Sequence, residues 1–486
     1  LRFKDALTIG IDIGTSGARA VAVSTSGTVV ASARKPLSAA GESGPGGTRR
    51  QQDPNAWWEV VCKALRELSH ELAEHGAFGL SVAGTSGTIV GIDASGRPTT
   101  PGLMYDDARA QEEANELNAL AREAGGQAGF SPSSPLAKLR WIEKHLPEEF
   151  ARTRHFVHQA DFVAGRLTGA LGESDYSNAL KMGYDLEREA WPDWFEKLST
   201  LHSKLPRVMA PGTSMGNVCT ALTSDLGLPN KLAVFAGVTD GTAGFLASGA
   251  TRVGDDNTTL GTTLVFKRLA DHRVVDPRGL IYCHKLPGGL WIPGAASNTG
   301  GAFVRSDFHG AELSQLDAQA QEALPSEHLA YPLRVQGERF PFAAPEARGF
   351  CEPEPADEQV RYAALLQGTA FIERLGYETL DRHTGRATGD VYATGGGSRS
   401  DVWMQLRADV SGRIYHRPEF PESAFGSAIL ARAATSHGDL SLACRRMVHL
   451  ERSFHPDPAR TDLYTEYYDR FLTLLGQRGL LQEPGP

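Results

Sequence analysis

The run Leu7-Thr8-Ile9-Gly10-Ile11-Asp12-Ile13-Gly14-Thr15-Ser16-Gly17-Ala18-Arg19-Ala20-Val21-Ala22-Val23 decides the fold. Apolar side chains crowd into Leu7, Ile9, Ile11 and Ile13, a polar stretch around Gly14-Thr15-Ser16-Gly17 interrupts them, and a second apolar run follows over 18–23. Two short β-type runs joined by a glycine-bracketed polar turn predict a strand, a tight turn and a returning strand. The turn offers backbone N–H groups and small hydroxyls beside the Asp12 carboxylate, a set that suits phosphate oxygens and a magnesium ion. The same residues also read as an ordinary hairpin, so the rest of the chain must supply the partners of a phosphate turn.

The pattern recurs. Thr258-Thr259-Leu260-Gly261-Thr262-Thr263-Leu264-Val265-Phe266 is again a strand, a Gly-Thr turn and a returning strand. Asp390-Val391-Tyr392-Ala393-Thr394 then enters Gly395-Gly396-Gly397-Ser398-Arg399-Ser400, with a helix expected from about Val402, as Leu80-Ser81-Val82-Ala83 enters Gly84-Thr85-Ser86-Gly87 earlier. Each half thus carries a hairpin with a Gly-Thr turn and later a strand ending in glycines, the mark of an internal duplication. The expected division is 1–247, 248–438 and a C-terminal helical extension over 439–486.

Composition sets the outer bounds. A chain of 486 residues exceeds one hydrophobic core. A net charge of −9 leaves no nucleic-acid footprint. The five cysteines are scattered without a C-x-x-C pair, which argues against a disulfide framework or zinc site and for a reducing compartment. No stretch approaches a membrane span, and Leu1-Arg2-Phe3-Lys4-Asp5 lacks the apolar core of a signal peptide. The expectation is a cytoplasmic enzyme with no nucleic-acid or membrane partner, homodimerisation being left open.

Between the two turns, 38–50 is rich in Gly, Ser and Pro and reads as a loop. Asp53-Pro54 opens a helix, and Trp57, Val61, Ala64, Leu65, Leu68 and Leu72 give it one apolar face. Asp106-Asp107-Ala108-Arg109 sets two carboxylates and a guanidinium at a strand end, either as helix caps or as a substrate-facing group. Asp240 follows the apolar strand 232–238, where an acid is an N-cap or a reactive group outside the strand ends. His155 and His158 lack a third ligand, and no P-loop, kinase-type H-R-D or G-x-S-x-G motif is present. Two turns of this kind can hold a nucleotide triphosphate from opposite sides, and the glycines 395–397 let a flat base lie against backbone. Phosphoryl transfer also needs a group to orient and deprotonate the attacking hydroxyl. Asp240, with a reference pKa of ~3.9, fits that role, and Asp12 fits magnesium.

These residues resemble the FGGY carbohydrate kinases of the actin-like ATPase superfamily. Asp12-Ile13-Gly14-Thr15-Ser16 is similar to the family's first phosphate motif, and 133–141 to the signature ending in Lys-aliphatic-x-Trp. Asp240-Gly241 stands at the catalytic aspartate, Gly261-Thr262-Thr263 at the second phosphate motif, and 395–398 at the adenine motif. The resemblance implies an α/β fold of two actin-like (ribonuclease H-like) ATPase domains with a nucleotide and sugar cleft between them. Within the family, Gly84-Thr85-Ser86-Gly87-Thr88, Ala296-Ser297-Asn298-Thr299-Gly300-Gly301 and Gly337-Glu338-Arg339-Phe340-Pro341 resemble the D-ribulose kinase branch, also described as xylulose-kinase-like. Glycerol kinases carry an Arg-Glu pair, and typical xylulose kinases a Met-His pair, where Thr85-Ser86 stand. Ser400 departs from the Asn of close relatives. The resemblance implies ATP and Mg2+, with Asp240 as catalytic base and Asp12 at the metal. Gly14, Thr15, Ser16, Gly261 and Thr262 would hold phosphates; Gly395, Gly396, Gly397 and Ser400 would hold adenine; and Ser86, Asp240 and Asp107 would hold the sugar. The expected reaction makes D-ribulose 5-phosphate and ADP; the alternatives are D-xylulose or another ketose or polyol, and a non-catalytic nucleotide-binding protein.

Overall fold

A computed structural model describes residues 6–37, 42–43, 48–126, 129–198, 200–385, 389–436 and 438–481. Residues 1–5, most of the loop expected over 38–50 and the last residues of the C-terminal segment lie outside that range. The chain forms two compact units: Leu1–Ala247 with Lys285–Gly288 and Glu422–Met447, and Ser248–His284 with Gly289–Pro421 and Val448–Pro486. Among the described residues no helix is long and apolar enough to cross a membrane.

The largest sheet described in the first unit has six strands: β1 (Leu7–Gly14), β2 (Gly17–Val23), β3 (Val29–Pro36), β4 (Ala77–Gly84), β5 (Ser214–Asn217) and β6 (Ala233–Thr239), in the order β5-β6-β4-β1-β2-β3. β1 and β2 form the expected two-residue hairpin, closed by Gly14 opposite Gly17, and β1, β4 and β6 run parallel. Parallel strands are covered on both faces, so their sequences are largely apolar. Ile9, Ile11 and Ile13 face the helix Pro54–His75, meeting Trp57, Leu65 and Leu68 in one core. That helix starts as expected, Asp53 accepting from Asn55 N at 2.9 Å.

The opposite face of β1 carries Thr8, Gly10 and Asp12, since side chains alternate along a strand. A Cβ at Gly10 would lie 1.8 Å from the Ala424 carbonyl oxygen, so the small-residue helix Ser423–Thr435 rests directly on the strand backbone. The compact units thus divide the chain differently from the expected 248–438 and 439–486. The segment 422–447 returns to the first unit because Gly10 and Gly426 leave room for backbone-to-backbone approach.

The second unit has a seven-stranded sheet: β7 (Asp256–Leu260), β8 (Leu264–Arg268), β9 (Tyr282–Lys285), β10 (Trp291–Ala296), β11 (Val391–Thr394), β12 (Tyr415–Pro418) and β13 (Leu450–Phe454), in the order β9-β10-β8-β7-β11-β12-β13. The β7–β8 hairpin lies beside parallel β11, repeating the arrangement of β1–β2 beside β4. β13 falls within the C-terminal extension that was expected to be helical. It pairs with β12 as an edge strand with three exposed residues, and so has no apolar alternation. The aromatic side chains of the helix Pro458–Gln477 (Tyr464, Tyr467, Tyr468 and Phe471) enter the core of this unit rather than forming a separate extension.

Candidate active site

In the first unit the parallel strands β1, β4 and β6 end beside a pocket of about 430 Å³, lined by Gly14, Thr15, Thr85, Ser86, Tyr105, Lys181 and Asp240. The carboxyl ends of parallel strands are where open α/β sheets bind ligands. Asp240 opens the helix Asp240–Ser248, with Oδ1 accepting from Gly241 N at 2.7 Å and its carbonyl from Ser423 Oγ at 3.0 Å. The preceding residue is fixed as well, since Thr239 N donates to Ser177 Oγ at 2.9 Å. The strand-to-helix junction is thus held from two sides, and the acid is presented at the pocket.

Thr85 and Ser86 divide the work of the next wall. Thr85 is turned inward, its N–H and Oγ1 donating to Gln159 Oε1 at 3.1 and 2.8 Å. Ser86 Oγ is buried and has no hydrogen-bond partner, an arrangement that a ligand hydroxyl would complete. Lys181 donates from Nζ to the Ser86 carbonyl at 3.2 Å, and burial lowers its pKa against the pull of Asp240. Sequence reading missed Lys181. Its signal was a lone cation in Asn178-Ala179-Leu180-Lys181-Met182, just beyond a helical turn capped by Asp175. Tyr105, also missed, is half exposed at the pocket rim.

Asp12 is half-buried, with Oδ1 buried and unpartnered. Burial and then the nearby Asp240 charge push its pKa up to about 7, and Arg19 acts in the other direction. A buried carboxylate oxygen with no donor, repelled by a second acid, is the environment that a hard cation relieves, so the residues present fit Mg2+. Thr15 and Ser16 are exposed at the tip of the turn, and the Thr15 carbonyl accepts from Gln52 Nε2 at 2.8 Å.

Asp107 corrects an expectation. It is fully buried, accepting from Arg50 N at 2.6 Å and from Arg109 Nη2 and Nε at 2.7 and 2.9 Å. It neither lines the pocket nor caps the following helix, Gln111–Glu123, and its oxygens are already occupied by structural donors.

In the second unit, Gly261 and Thr262 form the β7–β8 turn, and their carbonyls accept from Gly301 N at 2.8 Å and Ala302 N at 3.2 Å. Glu338 anchors the supporting loop, accepting from Ser297 Oγ at 2.9 Å, Asn298 N at 2.6 Å and Thr299 Oγ1 at 2.7 Å. The motifs at 296–301 and 337–341 are therefore one buttress beneath the turn. The three glycines of the run differ in their surroundings. Gly395 and Gly397 are pressed against Leu260, and only Gly396 has open space at its Cα. Ser400 Oγ accepts from Trp403 N at 3.0 Å as the cap of the helix Asp401–Ser411, so its hydroxyl already has a structural partner.

Residues 7–247 match the model of the FGGY family of carbohydrate kinases, N-terminal domain, and residues 257–435 that of the C-terminal domain. The xylulose kinase of Streptomyces rubiginosus is 28% identical, over 99% of this chain and 98% of that relative. The xylulose kinase of Escherichia coli (strain K12) is 26% identical, over 96% of this chain and 98% of that relative. The solved structure of a xylulose kinase from Rhodospirillum rubrum superposes with a TM-score of 0.83 at 28% identity, over 97% of this chain and 98% of that one.

Proposed function

Since the chain belongs to the FGGY family of carbohydrate kinases, we propose that it transfers the γ-phosphoryl group of ATP to the 5-hydroxyl of a free ketopentose, foremost D-ribulose. The observation that carries this reading is the juxtaposition, in one pocket, of Asp240, the Lys181 ammonium and the unpartnered Ser86. Ser86 and Lys181 bind sugar oxygens, and Asp240 orients the attacking hydroxyl and takes its proton as the new O–P bond forms. The bond to the β-phosphate oxygen breaks, and ADP leaves. Thr15 and Ser16 donate to phosphate oxygens, as the family resemblance implies. Asp12 would hold Mg2+, which when bound offsets the charge on the phosphate oxygens.

D-xylulose is the second reading, favoured by the names of the relatives above. Thr85-Ser86 weighs against it, because the family resemblance places a Met-His pair there in typical xylulose kinases. A coupled ADP-release assay over D-ribulose, D-xylulose, gluconate and glycerol decides. D-ribulose is expected to give the highest kcat/KM. A lead of about tenfold or more for D-xylulose or glycerol would overturn the substrate assignment. Clear ATP binding without sugar-dependent ADP formation would replace the kinase with a non-catalytic nucleotide-binding protein.

A further inference from the structure

The helix Pro135–His145 carries the Lys138–Trp141 signature, yet none of its residues lines the pocket. Lys138 is fully buried, and its Nζ donates to the carbonyls of Gly87 at 2.7 Å and Met104 at 2.8 Å. A buried ammonium is costly where an apolar side chain would fill the same space. Burial pushes this one down to about 7 against the pull of Asp107, a measure of that cost.

The two carbonyls explain the placement. Gly87 follows Ser86 and Met104 precedes Tyr105, so one cation spans the backbone beside two walls of the pocket. Gly87 has φ +97°, a conformation that side chains rarely adopt, and a Cβ there would lie 3.5 Å from Lys181 Cδ and 3.7 Å from Cγ of Pro135 in the signature helix. The other end of the helix reaches the third wall. Trp141 lies under the Arg109 guanidinium at 4.9 Å, and Arg109 grips Asp107 and donates to Gln51 Oε1 at 3.0 Å. Asp107 holds Arg50 N, and two residues on, Gln52 holds the Thr15 carbonyl.

We propose that Lys138 is a positioning residue for the sugar pocket, fixing Ser86 and Tyr105 at their spacing while the Trp141–Arg109–Asp107 chain fixes the Thr15 turn. The inference rests on the kinase reading above, and it gives Asp107 a role within that chain in place of substrate contact.

Lys138→Met keeps most of the side-chain volume and removes both hydrogen bonds. Full-length wild type and variant are compared by steady-state turnover with D-ribulose and ATP, alongside thermal melts. The KM for sugar should rise at least ~10-fold, while the KM for ATP and sugar-independent ATP hydrolysis stay within ~2-fold, whatever the change in Tm. An unchanged sugar KM, or equal losses for sugar and ATP that track the melting temperature, overturns the positioning role. Should Lys138→Met fail to fold, Trp141→Leu, at a half-buried site, tests the proposal from the other end. There the Thr15 turn loosens, so a roughly 3-fold rise in the KM for ATP is expected with the sugar KM within ~2-fold, and no rise overturns the proposal. Wild-type protein without sugar-dependent ADP formation overturns the kinase reading and this inference with it; normal wild-type turnover with an unmoved variant overturns positioning alone.

Discussion

Asp12 and Glu338 are two acids serving the two Gly-Thr turns, one in each unit, and their surroundings are opposite. Glu338 is buried with its oxygens filled by donors from Ser297, Asn298, Thr299, Tyr331 and Arg339. Asp12 has one oxygen buried with no donor at all and a second acid nearby. Buried polar groups are almost always satisfied, so an unsatisfied one marks either instability or a missing partner. The contrast extends to the neighbours: Thr85 is fully engaged, and Ser86 beside it is not. Glu338 and Thr85 build the frame, whereas Asp12 Oδ1 and Ser86 Oγ are left for ligands in the proposed reading.

The strongest way to break this comparison is Asp240→Asn. It should lower kcat by about 10²–10⁴-fold, the range of a lost general base, while calorimetry still finds ATP binding. Turnover near the wild-type rate would remove Asp240 from the mechanism. Next in size is Glu338→Gln, which replaces a fully paired carboxylate. It should reduce stability by about 1–3 kcal/mol in denaturant unfolding, because buried donors are left with a poorer acceptor. Ser86→Ala separates the two classes more finely. Its hydroxyl has no protein partner, so the melting temperature should hold while kcat/KM for the sugar falls ~10-fold. A lower melting temperature with unchanged kinetics would make Ser86 part of the frame.

A pH dependence tests Asp12 itself. Asp12 titrates near 7 in the folded chain and in the ordinary carboxylate range, near 3.8, once unfolded. Between those values the folded state holds a proton that the unfolded state has released, so stability without metal falls as pH rises through the window and levels off above about 7. Melts of Asp12→Asn from about pH 5 to 8 should lack this part of the slope. An identical slope in both proteins would place the shift elsewhere.

Local patterns were legible in the sequence and tertiary partners were not. The hairpin turns at Gly14–Gly17 and 261–263, and the acid at the end of β6, follow from short-range periodicity and turn chemistry. Lys181 was invisible because its importance lies in a contact with Ser86, 95 positions away. Asp107 and Ser400 looked like ligand residues by position, yet their oxygens are taken by Arg109 and Trp403 N. The return of Ser423–Thr435 to the first unit depends on what Gly10 allows to approach, and no window around either segment contains that fact.

The most direct test is a crystal structure with D-ribulose, Mg2+ and a non-hydrolysable ATP analogue. The account expects a sugar hydroxyl within hydrogen-bond reach of both Ser86 Oγ and the Asp240 carboxylate, and a metal at Asp12. Sugar bound elsewhere, with Ser86 Oγ still unpartnered at saturating ligand, would contradict it.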